Sequence, residues 1–197
     1  MRSLQNYIIS TNNRYNNKVD VGDKELILNT EITERDYMFV NRIATVISTP
    51  LEVKTPIEKG DDIIVHHNVF RRWHDQQGVE RNSRGYFKEN KYFVSMDQIY
   101  LYQNKDGWFS LPDYCFVKPI VSKEDMWAED KEKPLVGIVK YTNKKLSLKK
   151  GDLIGFTPNS EYEFIIEKER LYRVLSKFIT IKYEYQGDEE EYNPGWA

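Results

Sequence analysis

Histidines and nearby acids are the first residues of this chain that could perform chemistry, through a metal ion. His66, His67 and His74 follow shortly after Asp61 and Asp62, so imidazole and carboxylate ligands are available in one stretch. Adjacent histidines on a strand point to opposite faces, however, and no fourth ligand occurs at the spacing of a metal site. We therefore expect no metal in this protein.

A single cysteine, Cys115, is the other residue with reactive potential. One cysteine excludes an internal disulfide framework and a multi-thiolate zinc site. It lies in an apolar segment, which favours a packed thiol over a nucleophile. The chain also lacks a glycine-rich phosphate loop, a nucleophile elbow and a dinucleotide fingerprint. We therefore expect a protein that is not an enzyme, with no catalytic residue and no cofactor.

Composition indicates a folded protein that works by contact. The chain has 197 residues, of which 40% are hydrophobic and 14% aromatic, with a net charge of −2. These values fit a folded domain, and the near-neutral net charge predicts no nucleic-acid or membrane partner on electrostatic grounds. Apolar runs are too short to span a bilayer, and the N-terminus has no long apolar core of a signal peptide. The expected compartment is the cytoplasm, where a lone thiol stays reduced.

Three segments recur in the same order along the chain. Residues 3–9 (SLQNYII) resemble 110–116 (SLPDYCF), 57–64 (IEKGDDII) resemble 148–155 (LKKGDLIG), and Tyr92-Phe93-Val94 resembles Tyr172-Arg173-Val174. The separation between matched segments decreases along the chain, which is expected for a tandem duplication with shortened loops. We therefore predict two modules, 1–104 and 108–183, followed by an acidic tail, 184–197. Tails of that composition are typically disordered.

Both modules have the pattern of β proteins. Their apolar segments are short and rich in β-branched and aromatic residues, and no segment keeps a helical period for long. Many short strands separated by turn residues are typical of small barrels. The predicted fold class is therefore all-β, with each module a small β-barrel.

A Lys-Gly-Asp turn precedes an apolar strand in each module. Glycine can adopt a positive φ and aspartate can bond its own backbone, so Gly60-Asp61 and Gly151-Asp152 are predicted to form tight structural turns.

The order of these motifs resembles the GroES-type co-chaperonins. Each module has a K-G-D turn before an apolar strand, then Y-x-V, a short turn, and I-x-L or I-x-I. The resemblance covers most of both modules and implies two GroES-like small β-barrels in tandem. It also implies a chaperone role, in which a homo-oligomer caps a GroEL-type chaperonin ring and encloses client proteins. Viral genomes carry divergent members of this family, and for a phage-encoded member the compartment is the host cytoplasm.

The family docks through a long loop after its first strand, which ends in a small apolar tripeptide. Leu26-Ile27-Leu28 is similar in chemistry and placement, although Lys24-Glu25 stand where the family often has glycines. The resemblance therefore implies chaperonin binding through these three residues. The alternative is that they form an ordinary strand of the core, which the local alternation also permits.

Ring geometry constrains the assembly that the resemblance implies. Family rings are typically seven-fold, and chains of two modules cannot fill seven places evenly. Because only the first module has a loop of docking length, we expect seven chains with seven loops, a heptamer.

Two other functions stay open. The first is an oligomeric structural or assembly protein, for example in a virus particle. The second, less favoured, is a nucleic-acid-binding β-barrel, since basic residues alternate with aromatics between Asn68 and Lys91. The same stretch gives a possible secondary contact surface, at Phe70, Arg71, Arg72 and Trp73.

Overall fold

The chain folds almost entirely into β-strands. A computed structural model describes residues 2–16, 18–27, 40–122, 132–143, 145–184, 187 and 189–194. Strand makes up 51% and helix 5%, so the predicted all-β class is confirmed. The helical part consists of single 3-10 turns, among them His67–Val69, Met96–Gln98 and Ser176–Phe178.

Two compact units divide the chain, Met1–Gly107 and Trp108–Ala197. The strands of the first unit are β1 (Tyr7–Ser10), β2 (Lys18–Val21), β3 (Lys24–Ile27), β4 (Ile43–Ser48), β5 (Asp62–Val65), β6 (Trp73–His74), β7 (Glu80–Arg81), β8 (Tyr86–Lys88), β9 (Lys91–Val94) and β10 (Ile99–Asn104). The short strand β11 (Gly107–Ser110) spans the division. Those of the second unit are β12 (Tyr114–Val121), β13 (Glu132–Tyr141), β14 (Leu153–Phe156), β15 (Glu161–Ile166), β16 (Glu169–Leu175) and β17 (Ile179–Tyr183).

Strand order is the same in the two units. The strands of the main sheet that lie wholly within the first unit run β10-β5-β4-β1-β9-β8, and the sheet of the second unit runs β17-β14-β13-β12-β16-β15. Each strand of one order therefore has a counterpart in the other, taken in chain order. All of the pairings are antiparallel, as expected when short connections join neighbouring strands.

Register agrees at the level of single residues. Ile63 pairs with Ala44 on one side and Tyr102 on the other. Its counterpart Ile154 pairs with Gly137 and Lys182. Irregularities also coincide, because the ladder slips between Ile8 and Ile9 in β1 and between Phe116 and Val117 in β12. The two units are thus copies of one ladder.

The first sequence match is out of register by one residue. The sequence match aligns Tyr7 with Tyr114. In the structure Tyr7 pairs with Val94, and the counterpart of Val94 in the second unit is Val174. Because Val174 pairs with Cys115, the true counterpart of Tyr7 is Cys115. Tyr7 and Cys115 are both fully buried. A one-residue shift moves every side chain of a strand to the other face, so the match of residue types was wrong about which residues share the core.

The Lys-Gly-Asp turns have the same geometry in the two units. Gly60 and Gly151 have φ values of 97° and 93°. The Gly60 amide donates to the Val46 carbonyl at 2.8 Å, and the Gly151 amide donates to the Val139 carbonyl at 2.9 Å. An aspartate side chain closes each turn by accepting from the amide three residues earlier: Asp61 Oδ2 from Glu58 at 2.8 Å, and Asp152 Oδ2 from Lys149 at 2.7 Å.

Each sheet packs its own core. In the first unit the largest fully buried side chains include Tyr7, Phe70, Tyr92 and Ile63. In the second unit Cys115, Val117, Val139, Ile154 and Val174 pack together. Among the described residues no pairing closes either sheet into a barrel, so barrel closure stays a prediction.

Part of the acidic tail is ordered against the second unit, contrary to the expectation of disorder. Val121 donates its amide to the Glu190 carbonyl at 2.8 Å, and Tyr192 donates its amide to the Pro119 carbonyl at 2.8 Å. The Asn193 side chain accepts from the Arg170 amide at 3.0 Å. Backbone pairing with β12 therefore holds residues 190–192 despite their charge, and the side chain of Asn193 adds a contact with Arg170.

Candidate docking hairpin

A hairpin in the long connection after β1 forms a sheet of its own. Strands β2 and β3 pair from Lys18 with Ile27 to Val21 with Lys24. A two-residue turn joins them, and Gly22 has a φ of 60° there. Glycine is the residue that favours this conformation at the first position of a tight hairpin turn. The hairpin is separate from the main sheet, whose β1 and β4 pair directly with each other.

Apolar side chains of the hairpin are exposed. The exposed fraction is 59% for Val21, 50% for Leu26 and 65% for Ile27. Leu26 and Ile27 therefore are not part of the core, and the core-strand alternative is wrong for them. Leu28, the third residue of the predicted tripeptide, lies outside the described residues.

Strand alternation divides these side chains between two faces. Val21 lies opposite Lys24, and Leu26 is two residues from Lys24, so Val21 and Leu26 share one face. Ile27 lies on the other face, with Lys18 and Glu25. Lys18 Nζ and Glu25 Oε1 form an ion pair there, at 2.9 Å.

The sequence interpretation grouped three consecutive residues and missed Val21. A docking face built on a strand consists of alternate residues and of their cross-strand neighbours, not of a tripeptide. A signal for Val21 was present in the sequence, since the alternation in Val19-Asp20-Val21 followed by Gly22-Asp23 is typical of a strand that enters a tight turn.

The predicted secondary contact surface divides into core and surface. Phe70 is fully buried and packs edge-on against Tyr92, with ring centroids 4.8 Å apart, so its assignment to a surface was wrong. Arg72 is held by Glu80 at 3.2 Å, and its guanidinium lies over the Tyr15 ring at 5.1 Å. Arg71 and Trp73 remain exposed and line a cleft.

His66 and His67 follow β5 directly, His74 lies on β6 of the small β6–β7 sheet, and Cys115 lies on β12. Burial, together with the charges of His66, Arg42 and Arg71, lowers the pKa of His67 to about 4. His66 accepts from the Asn68 amide through Nδ1 at 3.1 Å. Within the described part of the chain, no three His, Cys, Asp or Glu side chains are grouped to hold a metal ion. Burial raises the pKa of the Cys115 thiol to about 12, so this group stays protonated.

Comparisons with protein-family models, curated proteins and solved structures find no match for this chain. The assignment to the GroES-type co-chaperonins therefore stays a prediction from the sequence motifs. Among the described residues, no helix has both the length and the apolar character needed to cross a membrane.

Proposed function

We propose that the protein is a co-chaperonin-like lid, built from two GroES-like barrels, that caps a chaperonin ring and assists the folding of client proteins. The observation that carries the proposal is the exposed apolar hairpin β2–β3. Val21, Leu26 and Ile27 are at least half exposed on an element separate from the main sheet. Exposed apolar side chains clustered on one projecting element are typical of an interaction site.

The hairpin is a preorganised version of the family's docking loop. Its backbone ladder and the Lys18–Glu25 ion pair fix the register before any partner is present. A ligand already in its bound conformation loses less conformational entropy on binding. We therefore assign docking to the face that carries Val21 and Leu26, with Ile27 on the opposite face as a secondary contact.

One hairpin alone binds weakly. Complete burial of a leucine contributes about 1.5–3 kcal/mol, which corresponds to a low affinity for a single contact. Several hairpins on one oligomer raise the overall affinity, because each binding event after the first is intramolecular. A heptamer with seven hairpins satisfies this requirement on a seven-fold ring.

Binding to an ATP-loaded GroEL-type chaperonin ring tests the proposal. We expect the full chain to bind and Leu26→Asp to abolish binding, because the charge must then be buried in an apolar groove. Ile165→Asp is the matched control, since Ile165 is 49% exposed and lies on β15, outside the hairpin. Absence of binding by the unmodified protein, or equal loss in the control variant, contradicts the proposal.

The second candidate is an oligomeric scaffold, for example in a virus particle. It is favoured by β17, which lies at the end of its sheet with Ile181 48% and Tyr183 39% exposed. Exposed edge strands readily accept a strand from another chain. Native mass spectrometry together with the binding assay separates the two: a stable oligomer that ignores the chaperonin favours the scaffold, and a monomer contradicts both.

A further inference from the structure

The insertion between Asn68 and Lys91 builds a cleft in the first unit that the docking hairpin does not use. The cleft has a volume of about 400 Å³. Its lining includes two guanidinium groups, two aromatic rings and two side-chain amides, from Arg71, Arg84, Trp73, Phe93, Asn68 and Gln98. A flat ring and a cation at the same opening are a combination that suits a flat, negatively charged ligand.

Positive charge predominates at this cleft. The insertion carries six basic and three acidic residues. Each acid is in an ion pair elsewhere in the insertion: Asp75 with Arg81 at 2.9 Å, Glu80 with Arg72 at 3.2 Å, and Glu89 with Lys91 at 3.5 Å. No acidic residue is among the described residues that line the cleft.

Trp73 provides a surface for stacking. It lies in the two-stranded sheet formed by β6 and β7, where it pairs with Arg81, and 54% of its area is exposed. Exposure of an indole to water is unfavourable, and stacking on a flat heterocycle would relieve it.

Gln98 adds a directional polar group. Its Oε1 accepts from the amide and the hydroxyl of Ser95, at 3.3 and 3.2 Å. The amide nitrogen of Gln98 therefore remains as a hydrogen-bond donor for a ligand with acceptor atoms on its edge, as a nucleobase has.

We propose that this cleft binds a nucleotide unit, whose base stacks on Trp73 and whose phosphate contacts Arg84 and Arg71. The unit is supplied either by a free nucleotide or by single-stranded nucleic acid, since both offer the same base and phosphate. The carboxylates of an acidic peptide would satisfy the guanidinium groups, but they provide no flat ring for the indole, whereas a nucleotide provides both groups in one unit. The proposal is independent of the lid function, because none of its residues belongs to the hairpin.

Fluorescence anisotropy of a labelled ten-nucleotide single strand, in DNA and RNA forms at low salt, tests the proposal. We expect Trp73→Ala to weaken binding about 10-fold or more, and Trp73→Phe to retain most of it, because stacking needs only a flat ring. Arg84→Gln should weaken binding and reduce the salt dependence by about one phosphate contact. Lys88→Gln is the matched control: it removes the same charge from β8, outside the cleft lining, and should change binding much less.

Competition with unlabelled AMP identifies the source of the unit. Displacement of the oligonucleotide by AMP supports a free-nucleotide site, and binding of the oligonucleotide alone supports a single-strand site. The proposal is overturned if neither probe binds, or if Trp73→Ala and Arg84→Gln both leave binding unchanged. It is replaced by an acidic-peptide site if a Glu- and Tyr-rich peptide binds and neither nucleotide probe does.

Discussion

The two units share one ladder and differ in what is attached to it. In the first unit the connections carry the hairpin β2–β3 and the insertion with β6 and β7. In the second unit the connection between β14 and β15 is short and carries no additional strands. Residues 190–192 pair with β12 instead. The ladder therefore sets the framework, and the loops give each copy its own contacts, as expected where a rigid sheet supports variable loops.

The outer face of the ladder differs in chemistry as well. In the first unit Thr45 donates through Oγ1 to Asp62 Oδ1 at 2.7 Å. The counterparts of these two residues, Ile138 and Leu153, are buried and pack against each other and Ile120. At these two positions the outer face is polar in the first unit and apolar in the second, whereas the core positions Ile63 and Ile154 are apolar in both. Strand pairing fixes the register without dictating the residues on the second face.

Substitution of one core residue in each unit should have the largest effect on stability, and it tests whether the two cores are equivalent. Ile63 and Ile154 are both fully buried at equivalent ladder positions. Ile63→Ala and Ile154→Ala should each destabilise the protein by about 2–5 kcal/mol, because each leaves a cavity. Urea unfolding measures the cost, and hydrogen exchange should lose protection first in the unit that carries the change. A cost below about 1 kcal/mol at either position would mean that the two cores are not equivalent.

Alanine at the two turn glycines should have an intermediate effect. A Cβ added at Gly60 or Gly151 meets no atom within 4 Å, so only the positive φ opposes it. The expected cost is about 1–2 kcal/mol at each position, and it should be the same in both units. Thermal unfolding measures it, with Lys59→Ala as a control beside the turn. A clear difference between the cost at Gly60 and the cost at Gly151 would show that the two turns are not equally strained.

A smaller effect on stability is expected when an ion pair of the second unit is removed, for which the first unit has no counterpart. Lys182 Nζ contacts Asp152 Oδ2 at 2.6 Å, and the position equivalent to Lys182 is the apolar ring of Tyr102. Burial raises the pKa of Asp152, but the hydrogen bond and charge of Lys182 and the Lys149 amide outweigh it, so the pKa lies below its ordinary value of 3.8. Lys182→Met should cost less than about 1 kcal/mol, since the pair is partly exposed.

The pH dependence of that effect follows from the direction of the shift. A lowered pKa in the folded state stabilises the protein at pH values above 3.8, and this contribution is lost as the pH falls through the folded-state pKa. The difference between the unmodified protein and Lys182→Met should therefore be present at neutral pH and disappear in acid. Urea unfolding at several pH values measures it, and a difference that persists in acid contradicts the ion-pair explanation.

The smallest effect on stability is expected at the hairpin. Val21→Asp and Leu26→Asp should each change the free energy of unfolding by no more than about 0.5 kcal/mol, because both side chains are exposed in the free protein. Ile64→Asp, at a fully buried position of the neighbouring sheet, is the contrasting control and should unfold the first unit. A large destabilisation by Leu26→Asp would mean that this face packs against the chain itself.

Most of the strands could be predicted because the sequence itself carries their pattern. Apolar β-branched and aromatic runs, bounded by turn residues, lie where β4, β5, β9, β10, β14 and β17 form. The K-G-D turns also followed from residue chemistry, since φ values near 95° require the freedom of glycine. The two-residue strands β6 and β7 could not be predicted, because two residues have no periodicity to detect.

Side-chain roles in the candidate sites were less predictable. The predicted secondary contact surface consists of four consecutive residues, Phe70, Arg71, Arg72 and Trp73. In the structure Phe70 is buried in the core and Arg72 forms an ion pair with Glu80, whereas Arg71 and Trp73 line a cleft. The local sequence predicts one shared role for these four neighbours. Their burial, however, depends on which distant strands and loops of the chain pack against each side chain. The same reason explains why Val21 was missed as a partner of Leu26.

The sequence by itself determined the all-β class, the order of the recurring segments and the two glycine turns, because strand alternation and glycine conformation are properties of a few neighbouring residues. Only the tertiary structure decided the residue register of the two copies, the exposure of Leu26 and Ile27, and the cleft around Trp73. These depend on hydrogen bonds and packing between segments distant in the chain. A one-residue shift, as between Tyr114 and Cys115, reverses the face of a strand while it leaves the local sequence pattern almost unchanged.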